Sequence, residues 1–223
     1  MAKNRRSGRA PVPGELPPDI PDEERRPARM RLVAGRRLSG VRVVLDGVHD
    51  PHNISAVLRS CEGFGVQHVH LVGPMEELPV NRAITCGCEK WLDLHAHADG
   101  AACALALHEQ GFELWAAVPD RTAQPLEALD FGRKVVLVFG GEHAGLSDEL
   151  LAACDGRYQV PMPGFSQSLN VSVAAGISIY IAASLRRRAI GGATDLAPAE
   201  IAALAQAWIA EDEARRARGR PRS

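Results

Sequence analysis

Three segments of this chain carry residue types whose spacing suits chemistry better than packing. In Asn53-Ile-Ser-Ala-Val-Leu-Arg59, an amide that can donate and accept stands six residues before a guanidinium. In Val138-Phe-Gly-Gly-Glu-His-Ala-Gly-Leu-Ser147, Glu142 sits among three glycines at the end of a very apolar run. Glycines at such a point let backbone N–H and C=O groups approach a ligand closely. In Val160-Pro-Met-Pro-Gly-Phe-Ser-Gln-Ser-Leu-Asn170, a polar loop opens into small apolar residues, with Ser168 and Asn170 at its mouth. Amides, one carboxylate and one permanent cation can hold a polar ligand and steady developing charge. Other chemistries lack their marks. No Gly-x-Gly-x-x-Gly follows a strand, no phosphate-cradling Gly-x-x-x-x-Gly-Lys-Ser/Thr occurs, and no Gly-x-Ser-x-Gly nucleophile turn occurs. His49 and His52 around Asp50, and Cys86-Gly-Cys88, match no standard ligand set, so no metal is expected.

The elements that would position these residues alternate. Val41–Asp46 reads as a buried strand and His49–Asn53 as a turn, with Asn53 at a helix N-cap. Ile54, Val57, Leu58 and Cys61 recur at helical spacing up to Gly63 and Gly65, and Arg59 falls off that stripe. His68–Val72 is the next strand, completing a βαβ unit. Ala101–Gln110 (helix), Phe112–Val118 (strand), Lys134–Phe139 (strand), Ser147–Ala153 (helix), Tyr158–Pro161 (strand) and Leu169–Arg188 (helix) continue the pattern. It predicts an α/β fold: one domain with a mostly parallel sheet flanked by helices. Strand C-termini are where such sheets bind ligands, which places the second segment at a site.

The domain reads as residues 32–192. A proline- and charge-rich arm, 1–31, holds too few large apolar residues to offset chain entropy and is expected to be disordered. Residues 193–223 form an amphipathic helix and an Arg-rich tail. Its stripe of Ile201, Leu204, Ala205, Trp208 and Ile209 covers either its own subunit or a partner.

A net charge of −1 conceals a division. Residues 1–37 hold ten Lys/Arg against five Asp/Glu, and residues 185–223 hold eight against five, while the stretch between holds eight against seventeen. The basic ends suit either a nucleic-acid partner or solubility alone. Five scattered cysteines fit a reduced, cytoplasmic protein. No run of about 18 apolar residues is present, so no transmembrane helix is expected. The basic N-terminus lacks a following apolar stretch and does not read as a secretory signal.

Taken in order, the three segments resemble the SpoU/TrmH family of RNA ribose 2′-O-methyltransferases, part of the SPOUT class. The resemblance spans about residues 41–188. Thr85–Leu92, with Gly87-Cys-Glu-Lys-Trp91, is similar to the TrmH branch, whose members modify a guanosine in the tRNA D-loop.

The resemblance implies a C-terminal trefoil knot, a homodimer and S-adenosylmethionine as cofactor. By it, Val118, Phe139, Gly140, Gly141, Val160, Met162, Ser168 and Leu169 would bind the cofactor. Arg59, Asn53, Glu142, Ser168 and Asn170 would carry the reaction, with Asn53 orienting Arg59. Arginine, with a pKa above about 12, cannot serve as a simple base. Arg59 is therefore expected to bind the phosphate beside the target ribose. Lys90, Arg36 and Arg37 are expected to meet RNA. tRNA is favoured as substrate because the N-terminal arm is too short to form the added domain of many ribosomal RNA relatives. Ribosomal RNA, or RNA binding without turnover, are the alternatives.

Overall fold

The computed structural model describes residues 16–17, 20–73, 81–120, 122–142 and 144–219, which separate into two compact units. The larger, Arg37–Leu196, is built on a sheet of seven parallel strands. In chain order its elements are β1 (Leu38–Asp46), α2 (Pro51–Phe64), β2 (Val66–Val72), α3 (Arg82–Thr85), a 3-10 turn (Cys88–Trp91), β3 (Asp93–His97), α4 (Gly100–His108) and β4 (Glu113–Ala117). Then follow β5 (Gln124–Pro125), a second 3-10 turn (Leu126–Ala128), β6 (Val135–Gly140), α5 (Asp148–Ala153), β7 (Gly156–Gln159) and α6 (Val171–Ile190). The strands lie in the order β3-β2-β1-β6-β4-β7-β5.

Side-chain alternation along the central strands explains the layering. Val43 and Leu45 of β1 and Leu137 and Phe139 of β6 join Ile54, Val57, Leu58 and Ile179 in one core cluster, against α2 and α6. Val44, Val136 and Val138 join Cys103, Leu107 and Leu150 in a second cluster, against α4 and α5. Both faces of β6 are covered, which is why it reads as an unbroken apolar run.

Local signals set the helix ends, with two corrections. The α2 N-cap is Asp50, whose carboxylate accepts from the His52 amide at 2.8 Å, not Asn53. Pro51 at the first helical position favours that start. Asn53 thus moves into the first turn, its side chain released for other bonds. Likewise α6 begins at Val171 and not Leu169, with Asn170 as its cap, accepting from the Ser172 amide at 2.9 Å. Gly65 (φ 85°) and Gly191 (φ 63°) end α2 and α6 in the left-handed region that glycine adopts without strain.

The C-terminal end of α6 is tied to β1. Buried Arg186 donates to Asp195 at 2.9 Å and to the carbonyls of Phe131, Gly132 and Arg133, while Asp195 accepts from the Ser39 and Gly40 amides. A Cβ on Gly40 would meet the Arg186 guanidinium at 2.4 Å. β3 lies outside the expected elements because Asp-Leu-His-Ala-His carries no β-branched residue.

The smaller unit, Met1–Arg36 with Ala197–Ser223, contains α1 (Asp22–Ala34) and α7 (Pro198–Gly219) packed together. The expected disorder is corrected from Asp22 onward, whereas the arm before Leu16 lies outside the described residues. Three acids in the first turn complement the helix dipole, and Arg26 donates to Asp212 of α7 at 2.5 and 2.6 Å. The interior Pro27 and low apolar content masked this helix in the sequence.

Candidate active site

The C-terminal ends of β4, β6 and β7 and the start of α6 surround a cavity of 490 Å³, within the range of small-molecule sites. Val118, Phe139, Gly140, Gly141, Val160, Met162, Ser168 and Leu169 all line it, with Glu142 and Asn170. Residues spread over some fifty positions therefore share one wall. Ala117, Leu146, Ala174 and Phe139 make much of that wall apolar, and main-chain groups at the glycines supply polarity. A Cβ on Gly140 would lie 2.3 Å from the Gly145 carbonyl carbon, and one on Gly141 would lie 2.5 Å from the Gly47 oxygen. Only glycine allows the loop to fold this tightly. Gly141 and Gly145 close it with reciprocal amide–carbonyl bonds of 3.0 and 2.9 Å.

At the mouth, three residues from three elements meet. The Asn53 amide donates to Glu142 Oε1 at 2.6 Å and to Asp50 Oδ2 at 3.3 Å. The Asn170 amide donates to the same Glu142 oxygen at 2.8 Å and to Asn53 Oδ1 at 3.1 Å. Asn170 Oδ1 accepts from the Ser172 amide and from its hydroxyl, at 2.9 and 2.6 Å. Each amide is thereby oriented, and Asn53 is 6% exposed although it sits on a helix start. The network joins the end of β6, the first turn of α2 and the N-cap of α6.

Arg59 stands elsewhere. It is exposed, outside the cavity lining, and its Nη1 donates to the Ile84 carbonyl at 3.1 Å and lies 3.9 Å from Cys86 Sγ. The expected Asn53–Arg59 contact is corrected: six residues turn a helix through roughly 600°, so the two side chains point about 120° apart. α3 and the loop after it receive Arg59, and α3 is pinned to α2 at its start by the Asn81 amide, which donates to buried Ser55 Oγ at 2.7 Å. Cys86 in that loop has φ 51°, a conformation that side-chain-bearing residues rarely adopt. Lys90 sits nearby in sequence with its ammonium 4.7 Å above the Trp91 ring.

Arg37 is corrected outright as an RNA contact. It is 1% exposed and donates to the Glu62 carbonyl at 3.0 Å and carboxylate at 3.1 Å. Arg36 is half-buried. Asp50, Tyr158 and Ser178 joined the site unannounced. Asp50 carried a legible signal, an acid directly before a proline at a helix start. Tyr158 and Ser178 line the cavity floor, but in sequence they read as ordinary strand and helix residues.

The matching family model is the SpoU rRNA methylase family, over residues 40–180. The chain belongs to this family. It is 37% identical over 166 residues to the tRNA (guanosine(18)-2′-O)-methyltransferase of Thermus thermophilus, covering 74% of this chain and 86% of that protein. Its fold is similar to the crystal structure of the Aquifex aeolicus TrmH/SpoU tRNA modifying enzyme, with TM-score 0.77 and 31% identity over 85% of this chain and 97% of that one. It is also similar to an AdoMet-bound rRNA methyltransferase from Sinorhizobium meliloti, with TM-score 0.58 and 26% identity over 71% and 59%. Among the described residues no helix is long and apolar enough to cross a membrane.

Proposed function

We propose that this protein transfers a methyl group from S-adenosylmethionine to the ribose 2′-hydroxyl of a guanosine in the D-loop of tRNA. The observation that carries the reading is the Asn53–Glu142–Asn170 network, set at the mouth of a strand-end cavity in a chain of the SpoU family. The cavity fits the cofactor. Its apolar wall at Ala117, Val118 and Leu146 suits an adenine face, and the amides and carbonyls of Gly140, Gly141 and Val160 suit polar edges. When bound, S-adenosylmethionine supplies an electrophilic sulfonium methyl.

The chain's own residues have two tasks: hold the ribose in line, and help its hydroxyl lose a proton. Glu142, fixed by two amides, and Ser168 at the rim orient the reacting groups. Arg59 binds the phosphate beside the ribose, and that phosphate or a water accepts the proton. Lys90 and the basic ends add salt-sensitive attraction that reads no sequence. Arg59 lies away from the cavity of its own chain, which supports a site completed in a homodimer. An exposed apolar row on α6, Val173, Ile177 and Tyr180, continued by Phe64 with its ring 5.3 Å from that of Tyr180, suits the second copy. The loops around Phe139–Glu142, Val160–Met162 and Ser168–Asn170 are read as the family's knotted region.

The test is methyl transfer from labelled S-adenosylmethionine to unmodified tRNA and to ribosomal RNA, with the labelled ribose mapped. Label on a D-loop guanosine of tRNA is expected, as is its loss when that nucleotide is 2′-deoxy. Label confined to ribosomal RNA overturns the substrate, and cofactor binding without transfer to either overturns the activity.

A further inference from the structure

On the face of the sheet covered by α4, outside the cavity lining, four histidines form a ladder. His68 and His70 are two apart on β2, and His95 and His97 two apart on β3, so strand alternation turns all four to one side. His68 Nδ1 lies 3.2 Å from His95 Nε2, and His70 Nδ1 lies 2.9 Å from His97 Nε2. The His70 and His95 rings stack with centroids 4.5 Å apart. Sheet packing does not ask for this. Apolar side chains would fill the space without the cost of burying polar rings.

One atom is left over. His70 is 2% exposed, and its Nε2 has no hydrogen-bond partner. A buried nitrogen left unpaired calls for a function such as holding an ion. A third ligand type is at hand: Cys103, fully buried in the first turn of α4, which Asp99 fixes by accepting from the Ala102 amide at 2.8 Å. One ligand atom from each of His70, His97 and Cys103 lies within 4.8 Å of the other two. Around a tetrahedral Zn²⁺ such ligand atoms lie roughly 3.3–3.6 Å apart, so side-chain rotations that draw them in by about 1 Å close the three on one ion.

We propose that His70, His97 and Cys103 form a site for one borderline transition-metal ion of the Zn²⁺ class, separate from the methyl-transfer cavity. Two imidazoles and a thiolate select such an ion over Mg²⁺ or Ca²⁺, which require oxygen donors. Burial of the two imidazoles disfavours their charged forms. Cys103 ligates as its thiolate, so its proton passes to solvent when the ion binds. The charged and titratable groups around the cluster are Arg42 on β1, Asp93 and His95 on β3, His68 on β2, Asp99 at the start of α4 beside His97, and Asp46 and Cys154 toward Cys103. Of the three ligands only His97 is partly exposed. The ion would pin the edge strand β3 and β2 to α4. The sequence held no trace of this, because the ligands come from three elements with no motif spacing.

The test uses full-length, tag-free protein, stripped with chelator under reducing conditions and titrated with Co²⁺, then Zn²⁺. One equivalent of Co²⁺ is expected to produce a thiolate-to-cobalt charge-transfer band that one equivalent of Zn²⁺ removes, and Zn²⁺ is expected to raise Tm. Cys103→Ser should abolish the band and the Tm rise. His97→Gln, at a half-exposed position that the fold tolerates, should weaken Co²⁺ binding at least tenfold. Cys86→Ser and Cys88→Ser should change neither. Absence of a band and of a Tm rise in the unmodified protein overturns the proposal. So does a band that survives Cys103→Ser and His97→Gln, or one that is lost with Cys86 or Cys88.

Discussion

Two regions on one helix divide the candidate site between them, and they are built in opposite ways. The first turn of α2 holds Asn53, buried and bonded to three partners from its own cap, the β6 loop and α6. About two turns further on, Arg59 is exposed and donates to the Ile84 carbonyl of α3. The enclosed half relies on glycine backbone and on two amides that give the Glu142 carboxylate its hydrogen-bond partners, because a charge without partners there would be costly. The open half uses permanent cations, which water solvates until a phosphate replaces it. Changes in the enclosed half should therefore disturb binding and stability together, whereas changes in the open half should disturb function alone.

That contrast is sharpest at Arg59. Arg59→Ala is expected to slow methyl transfer on the order of 10²–10³-fold while cofactor affinity and Tm stay close to those of the unmodified protein. Single-turnover transfer and calorimetric cofactor binding check it, and a collapse of cofactor binding would break the division. Gly140→Ala should do the reverse. With backbone atoms within 2.4 Å of the new Cβ, the loop must shift, weakening cofactor binding at least tenfold and costing roughly 1–3 kcal/mol of stability. Denaturant unfolding beside a cofactor titration reads both effects.

Asn53→Ala removes a donor to Glu142 and an acceptor for Asn170. Loss of stability of about 1–3 kcal/mol is expected, with a parallel loss of transfer. Full stability with transfer reduced would place Asn53 in the open half. The smallest change is Lys90→Ala: RNA affinity falls uniformly across sequences, and the salt slope of binding drops by about one. An unchanged slope would leave Lys90 as packing for Trp91 alone.

Much of this molecule was legible in one dimension. The apolar runs at Val41–Asp46 and Lys134–Phe139 declared buried strands, since both faces of a parallel sheet are covered. Gly65 and Gly191 marked helix ends, since few other residues take positive φ cheaply. The order of the segments around Asn53, Glu142, Ser168 and Asn170 carried the family resemblance, and it was that resemblance which implied them as site residues.

What the sequence could not show were contacts between residues distant along the chain. It placed Asn53 at a cap, because local propensity sees the nearest helix end and not the carboxylate 89 residues away that captures the amide. It offered Arg37 to RNA, because a charge count is blind to Glu62, which buries it. It passed over β3 and so over the histidine ladder, which exists only once β2 and β3 pair in register. Backbone conformation is decided by neighbours, and hence is written locally. Which side chains meet, and which polar atom is left without a partner, depends on closing long loops, and only the tertiary structure decides that.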